Sequence, residues 1–342
     1  MSGVIDFIQH NRERFGLDGL GVPEQLTYVM ETPRFRTSNH VVFLILPAKR
    51  PYPILVAKVP RLADSTSSLR REFKNLRAVH LFKEGGFDSI PRVVAFEEYI
   101  DRPILIETAL VGEKLDPTAV RKDHHASCQM VIDWLSDFQL SGISNNELLA
   151  ERFDVLINIP LTYFEKVFPL SLDEVPLFDQ TWELAQSICS GDLPIVFEHG
   201  DLSHPNIIVL EDGNIGVVDW ELAEPYGLVG YDLFFFLTFV AFSLSRADSR
   251  TEFLSAFKAA FFGRSAWSRS YIRDYASRLK IPIERLAPIF VLSWMRYLSN
   301  LILRMGAHTK IKPEMANWVR SNRYYLLWQY SVEHFDELYW NQ

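Results

Sequence analysis

The spacing of apolar positions in the first third of the chain predicts a small sheet with one helix. Residues 40–46 (HVVFLIL) and 54–59 (ILVAKV) are short apolar and β-branched runs, and the prolines between them predict a hairpin with a long turn. From Ser67 the apolar positions recur every three to four residues, which is typical of an amphipathic helix. Two more strand-like runs complete this part: residues 92–99 and 104–108.

The pattern changes after Gly112, where most apolar residues recur at the three-to-four-residue spacing of a helix. Residues 125–140 form an amphipathic helix pattern, and from Tyr231 onward the chain is predicted to be helical almost to its end. Between them, residues 207–210 and 215–218 form two short strands joined by a turn. We therefore predict an α+β fold in two parts: residues 1–108 form an antiparallel sheet with one helix, and residues 109–342 are mostly helical.

Composition restricts the partners and the compartment. A net charge of -8 disfavours nucleic acid, because phosphate backbones attract basic surfaces. Two cysteines, Cys128 and Cys189, are too few for a disulfide framework and indicate a reducing compartment. The most apolar stretch, residues 233–244, is too short to span a bilayer, and the first residues lack the pattern of a signal peptide. We expect a cytoplasmic protein without a membrane partner, and its oligomeric state stays open.

The residues that carry chemistry lie in the segment HGDLSHPNIIVLEDGNIGVVDWE, residues 199–221. Asn206 is the fifth residue after Asp201, and Asp219 ends the following strand. Mg²⁺ prefers oxygen ligands and bridges the phosphates of ATP, while a carboxylate near an acceptor hydroxyl can take its proton. The spacing therefore indicates phosphoryl transfer, with Asn206 and Asp219 holding the metal and Asp201 as the catalytic base.

Two other interpretations use the same letters. A turn with a buried histidine and two capping aspartates is the better interpretation of an isolated HGD, but here the motif has its full spacing and occurs with upstream elements. A hydrolase metal site could use His199, Asp201 and His204. That site would leave a lysine inside a strand, Lys58, and the helix that carries Glu72 unexplained.

HGDLSHPN followed by VVDWE resembles the aminoglycoside phosphotransferase and choline kinase family, a branch of protein-kinase-like enzymes that act on small molecules. In that family HGD-x-x-x-x-N is followed by D-x-[DE]. The resemblance covers most of the chain and implies a two-lobed protein-kinase-like fold with the nucleotide between the lobes. It also implies ATP and Mg²⁺ as cofactors and a small-molecule hydroxyl as the acceptor of the γ-phosphate.

The resemblance also assigns upstream residues. It places Lys58 on the α- and β-phosphates and gives Glu72 the ion pair that holds Lys58. Residues 104–110 correspond to the hinge, so adenine would bond to backbone groups near Glu107 and Ala109.

The phosphate loop departs from the protein-kinase pattern. The matching residues 36–40 (RTSNH) contain no glycine, although Ser38 and its neighbours carry hydrogen-bond donors that suit phosphate. This departure keeps a second hypothesis open, a nucleotide-binding pseudokinase that regulates a partner. The intact set of catalytic residues argues against it. Transfer of another part of the nucleotide is a third hypothesis.

The acceptor is not identified by the sequence. Residues 144–190 and the helices after Tyr231 are predicted to form its pocket. A cationic acceptor, such as an aminoglycoside or choline, would need several carboxylates, and a neutral sugar or metabolite alcohol fits equally well. The acidic side chains that this region offers are Asp154, Glu165, Asp173 and Glu174.

Overall fold

The structure of the chain is a computed structural model that describes residues 3–32, 40–61, 66–83, 85–142, 149–189 and 193–340. Tertiary packing divides the chain into two compact units. The first unit comprises Met1–Leu115, His199–Asp201 and Pro205–Pro225, and the remaining residues form the second. The boundary between residues 108 and 109 stays a prediction.

The strands of the described residues form one five-stranded antiparallel sheet and two smaller sheets. The strands are β1 (Leu26–Glu31), β2 (His40–Pro47), β3 (Leu55–Pro60), β4 (Val93–Tyr99), β5 (Arg102–Thr108), β6 (Gly112–Lys114), β7 (Ile195–Glu198), β8 (Ile207–Leu210), β9 (Ile215–Val217) and β10 (Glu224–Leu228). The larger sheet has the order β1-β2-β3-β5-β4, and the smaller sheets have the orders β6-β8-β9 and β10-β7.

In the described part of the chain, two α-helices belong to the first unit and the other α-helices to the second. A π-helical turn, Asp154–Asn158, separates α5 from α6. The helices are α1 (Val4–His10), α2 (Thr66–Val79), α3 (Pro117–Lys122), α4 (His124–Gly142), α5 (Leu149–Phe153), α6 (Ile159–Val167), α7 (Val175–Ile188), α8 (Tyr231–Ser245), α9 (Arg250–Phe261), α10 (Arg269–Arg278), α11 (Leu286–Arg304), α12 (Pro313–Ser321) and α13 (Arg323–Glu333). The predicted α+β class is confirmed, with the antiparallel sheet in the N-terminal part and most helices after it.

The five-stranded sheet has two faces with different partners. Leu55 and Ala57 of β3 lie on one face with Ile106 of β5, buried in a core that includes Ile8 of α1. Since side chains alternate along a strand, the residues between them point to the other face. Lys58 lies on that second face, so the sheet holds an ionisable side chain where a core sheet would carry an apolar one.

Strand β1 was not predicted from the sequence. Five of its six residues are exposed, and among the described strands it pairs with β2 alone, at the edge of the sheet. A strand without a buried face has no alternation of apolar and polar positions, so periodicity cannot detect it.

The core of the second unit is rich in aromatic side chains. Phe290 of α11 packs against Phe234, Phe257, Phe261 and Trp340, with ring centroids 5.0, 5.4, 4.8 and 5.3 Å away. The stretch Ile283–Arg304 that contains it is long and apolar enough to span a membrane, and 67% of its apolar window is buried within the protein. The same apolar character therefore serves the packing of this core.

We predict that Phe290→Ala lowers the free energy of unfolding by about 3–5 kcal/mol, because it removes a buried ring and leaves a cavity. Urea unfolding followed by fluorescence measures the change. Leu172→Ala is the control, since its side chain is 92% exposed and little should change. Equal effects of the two substitutions would contradict the packing described for this core.

Candidate active site

Lys58 of β3 has its ammonium buried, and Glu72 of α2 is one of its partners. The side chain of Lys58 is 10% exposed and that of Glu72 is fully buried. Glu72 lies on the buried face of α2 together with Leu69 and Leu76, so the packing of the helix carries its carboxylate to Lys58. The ammonium donates a short hydrogen bond to Oε1 of Glu72. The structure therefore brings together the two residues that the resemblance paired.

The charges of this pair follow from its surroundings. Burial opposes the charge of Lys58, but the carboxylates of Glu107 and Glu72 outweigh it and raise the pKa of the ammonium above its usual value. Burial also raises the pKa of Glu72 to about 8, against the opposing effect of Lys58. Lys58 thus remains a fixed positive charge inside the first unit.

The structure gives Glu107 a contact that the sequence analysis missed. Its Oε1 lies 3.1 Å from Nζ of Lys58, and its side chain is buried. Just after β5, the N–H of Ala109 donates to the carbonyl oxygen of Ile54. An adenine contact at Ala109 would therefore use the carbonyl oxygen of Ala109. Ser38 lies outside the described residues. The adenine and phosphate-loop assignments stay predictions.

The ring of His199 is buried and bonds through both of its nitrogens to the backbone. Nδ1 accepts from the N–H of Asp201 at 3.3 Å, so Nε2–H donates to the carbonyl oxygen of Val218 at 3.0 Å. Burial lowers the pKa of His199 to about 4, and the ring is therefore neutral near pH 7. Because both nitrogens are engaged, His199 is poorly suited to bind a metal, which argues against the hydrolase interpretation.

Asp201 and Asn206 are linked directly. Nδ2 of Asn206 donates to the backbone oxygen of Asp201 at 3.0 Å and to Oδ2 of the same residue at 3.2 Å. Both side chains are half-buried. The amide of Asn206 therefore orients the Asp201 carboxylate, and the HxDxxxxN spacing has a local structural reason.

The β8–β9 hairpin brings Asp219 alongside Asn206. Ile207 pairs with Val217, and the N–H of Val218 donates to the carbonyl oxygen of Asn206 at 3.0 Å. Asp219 follows with φ 70° and ψ 65°, in the left-handed region that costs an L-residue about 1–2 kcal/mol. Such a conformation persists only where the surrounding structure holds it, as at many functional sites.

Asn206 and Asp219 together fit a Mg²⁺ ion. The nitrogen of the Asn206 amide is used on Asp201, which leaves Oδ1 as the atom for a cation, and Asp219 adds a carboxylate. Among the described residues, no group of three or more His, Cys, Asp or Glu side chains could hold a metal. Mg²⁺ takes oxygen ligands and keeps water and phosphate oxygens in its shell, so an amide oxygen and a carboxylate are atoms that could hold it.

Asn75 of α2 is a further site residue that the sequence analysis missed. Its Nδ2 donates to the carbonyl oxygens of Trp220 at 2.8 Å and Ala223 at 3.0 Å. It lies three residues after Glu72 on the buried face of the helix. Asn75 therefore ties the helix of Glu72 to the segment that follows Asp219. The signal that could have found it is a polar residue at that helical spacing.

The predicted acceptor carboxylates lie in the second unit, and Glu174 is engaged there by its neighbours. Its oxygens accept from the guanidinium of Arg320 at 2.6 and 2.8 Å and from the hydroxyl of Tyr325 at 2.6 Å. Burial opposes its charge, but these bonds lower the pKa of Glu174 to about 2. Glu174 therefore has a structural role, and the role of the other three stays a prediction.

Comparison with protein families gives the class of the protein. The family described as "APH: Phosphotransferase enzyme family" matches residues 32–271, which is more than half of the chain. The chain therefore belongs to this family of phosphotransferase enzymes. The resemblance drawn from the HGD and DWE motifs is confirmed.

Solved structures show the fold. The GDP and kanamycin complex of the aminoglycoside phosphotransferase APH(2")-IIia has a TM-score of 0.53 at 13% identity, over 91% of this chain and 93% of that chain. The choline kinase LicA from Streptococcus pneumoniae has a TM-score of 0.52 at 12% identity, over 95% and 99% of the two chains. An ethanolamine kinase from Plasmodium vivax has a TM-score of 0.52 at 14% identity, over 96% and 90%. The protein-kinase-like fold is thus confirmed.

No curated protein sequence matches the chain significantly.

Gly200 provides a test of the packing in the HGD loop. Its φ is +80°, and an added Cβ would lie 2.3 Å from the carbonyl oxygen of Leu222. Gly213 is the matched control, with φ +82° and nothing within 4 Å of an added Cβ. We predict that Gly213→Ala costs about 1–2 kcal/mol of stability, from the left-handed backbone alone, and Gly200→Ala clearly more. Urea unfolding of both variants checks this, and equal costs would contradict the close packing at Gly200.

Proposed function

We propose that the protein transfers the γ-phosphate of ATP to a hydroxyl group of a small molecule. The observation that supports this most strongly is the buried Lys58–Glu72 ion pair. It lies in the compact unit that also contains Asp201, Asn206 and Asp219. The charge of Asp219 acts on Lys58, so these two side chains lie within electrostatic range of each other. Phosphoryl transfer relies on such positioned charges more than on covalent chemistry.

Each residue has a role in the proposed reaction. Lys58, held by Glu72, binds the α- and β-phosphates, with Ser38 as a proposed donor in the phosphate loop and backbone groups near Glu107 and Ala109 as partners of adenine. Asp201, oriented by the amide of Asn206, accepts the proton of the acceptor hydroxyl.

Asn206 Oδ1 and the Asp219 carboxylate would hold Mg²⁺. When bound, Mg²⁺ neutralises charge on the phosphates and orients them. In the described part of the chain, Lys58 already faces two carboxylates. This acidic surplus is a reason to expect that nucleotide binding depends on the metal.

The acceptor class remains broad in this proposal. The solved relatives include a kanamycin complex, a choline kinase and an ethanolamine kinase, and all of them are distant in sequence. With Glu174 engaged by Arg320, the carboxylates proposed for a cationic acceptor are Asp154, Glu165 and Asp173. An aminoglycoside, an amino alcohol and a neutral sugar or related metabolite are therefore the classes to screen.

The second candidate function is a pseudokinase that binds nucleotide without transferring phosphate. The observation that favours it is the phosphate-loop segment, residues 36–40, which contains no glycine. A pseudokinase would not use the buried Lys58–Glu72 pair or the Asp201 loop for catalysis.

We predict that Asp201→Ala lowers turnover roughly 10²- to 10⁴-fold while ATP binding is largely kept, because the substitution removes the base and leaves Lys58 in place. Transfer of ³²P from [γ-³²P]ATP to kanamycin, choline, ethanolamine, a neutral sugar and water measures turnover. Asp212→Ala, in an exposed turn, is the control and should behave like the wild type. Unchanged turnover in Asp201→Ala would reject the assignment of the base. ATP binding with no transfer to any acceptor would favour the pseudokinase.

A further inference from the structure

Glu107 and Lys58 lie on the same face of the five-stranded sheet. Lys58 of β3 pairs with Leu105 of β5, and Val56 pairs with Glu107. Alternation along each strand therefore places the side chains of Lys58 and Glu107 on one face as diagonal neighbours. This is the face opposite the core that contains Ala57 and Ile106.

The ammonium of Lys58 has two carboxylate partners from two different elements. Oε1 of Glu72 on α2 accepts a hydrogen bond, and Oε1 of Glu107 on β5 lies 3.1 Å away. An ammonium carries three N–H donors. Two of them are directed to carboxylates that are fixed in the fold, which leaves one for another ligand.

Stability alone does not explain the second carboxylate. One lysine is buried beside two glutamates, and burial raises the pKa of both carboxyl groups, so the second one is held either as a charge without its own counter-ion or as a protonated acid. Burying a charge without its own counter-ion is unfavourable, and an apolar side chain of similar size would avoid that cost. In addition, Oε2 of Glu72 and Oε2 of Glu107 are both buried and have no hydrogen-bond partner in the described part of the chain.

A second anchor does change what Lys58 can do. The lysine side chain is a flexible four-carbon stem with a compact charge at its end, so a single partner leaves the ammonium free to swing. Two partners on different elements restrict it to one position. The third N–H then has a defined place for a phosphate oxygen.

We propose that Glu107 is a second positioning residue for Lys58, so that two carboxylates fix the ammonium for its contact with the nucleotide phosphates. This inference rests on the proposed function. It concerns the side chain of Glu107 and is separate from the backbone contact with adenine predicted at the same residue.

We expect Glu107→Gln to lower kcat/KM for ATP about tenfold without lowering the melting temperature, since it removes a charged anchor together with the cost of burying a second carboxyl group beside Lys58. In a Lys58→Met background the same substitution should lower kcat/KM no further, because Glu107 acts through Lys58. A double-mutant cycle of the wild type, Glu107→Gln, Lys58→Met and the double variant measures this coupling. Glu98→Gln on β4 is the matched control, since its side chain is exposed on the same sheet and should have no effect in either background.

A second background keeps the test decisive if Lys58→Met does not fold. In Glu72→Gln, Glu107 is the remaining ion-pair partner of Lys58 among the described residues, so Glu107→Gln should then lower kcat/KM by a larger factor than it does in the wild type. A lower melting temperature with equal fold-changes in every background would show a merely structural role and contradict the inference.

A failure of the proposed function can be distinguished from a failure of the inference about Glu107. If the wild type transfers phosphate to no acceptor, water included, that function is rejected, and the same variants are compared by their Kd for ATP. Coupling between positions 107 and 58 in Kd would support the positioning role. Additive effects on Kd would overturn it.

Discussion

A lysine ammonium buried against a sheet is the constraint on which the first unit depends. Lys58 needs carboxylates because an isolated buried charge is too costly. Glu72 of α2 and Glu107 of β5 supply them on one face of the sheet. Asn75, on the same face of α2 as Glu72, then bonds to the two carbonyls that follow Asp219. One ion pair is thereby connected through one helix to the proposed metal ligand.

The loop that carries Asp201 is held by its own polar groups. The neutral ring of His199 joins the backbone of Asp201 to that of Val218, and Asn206 binds both the backbone and the carboxylate of Asp201. A loop bonded in this way is preorganised, so little structure must form when substrate binds. The motif letters therefore describe a rigid arrangement and not a set of independent ligands.

Local patterns in the sequence predicted β2 to β5, the helix α2, the β8–β9 hairpin and the motif residues of the HGD loop, but they predicted no strand at β7, although its four residues are all buried. They missed the exposed edge strand β1. They also missed the carboxylate of Glu107, because its role depends on β3 pairing with β5, a long-range choice that no local pattern encodes. Glu174 is the opposite case. The sequence offered it as an acceptor carboxylate, but in the structure both of its oxygens accept hydrogen bonds from Arg320, and one also accepts from Tyr325. The sequence shows which residues can carry chemistry, and packing decides which of them are free to do so.

The central claim, a metal-dependent ATP site that includes Lys58 and Asp219, is tested most directly by a thermal-shift titration with ATP, with and without Mg²⁺. The wild type, Asp219→Ala and the control Asp212→Ala are compared, since a ligand that binds the folded state raises the melting temperature. The account predicts a rise that requires Mg²⁺ in the wild type and the control, and that is lost in Asp219→Ala. No rise at millimolar ATP, or a rise that is the same in all three proteins, would contradict it.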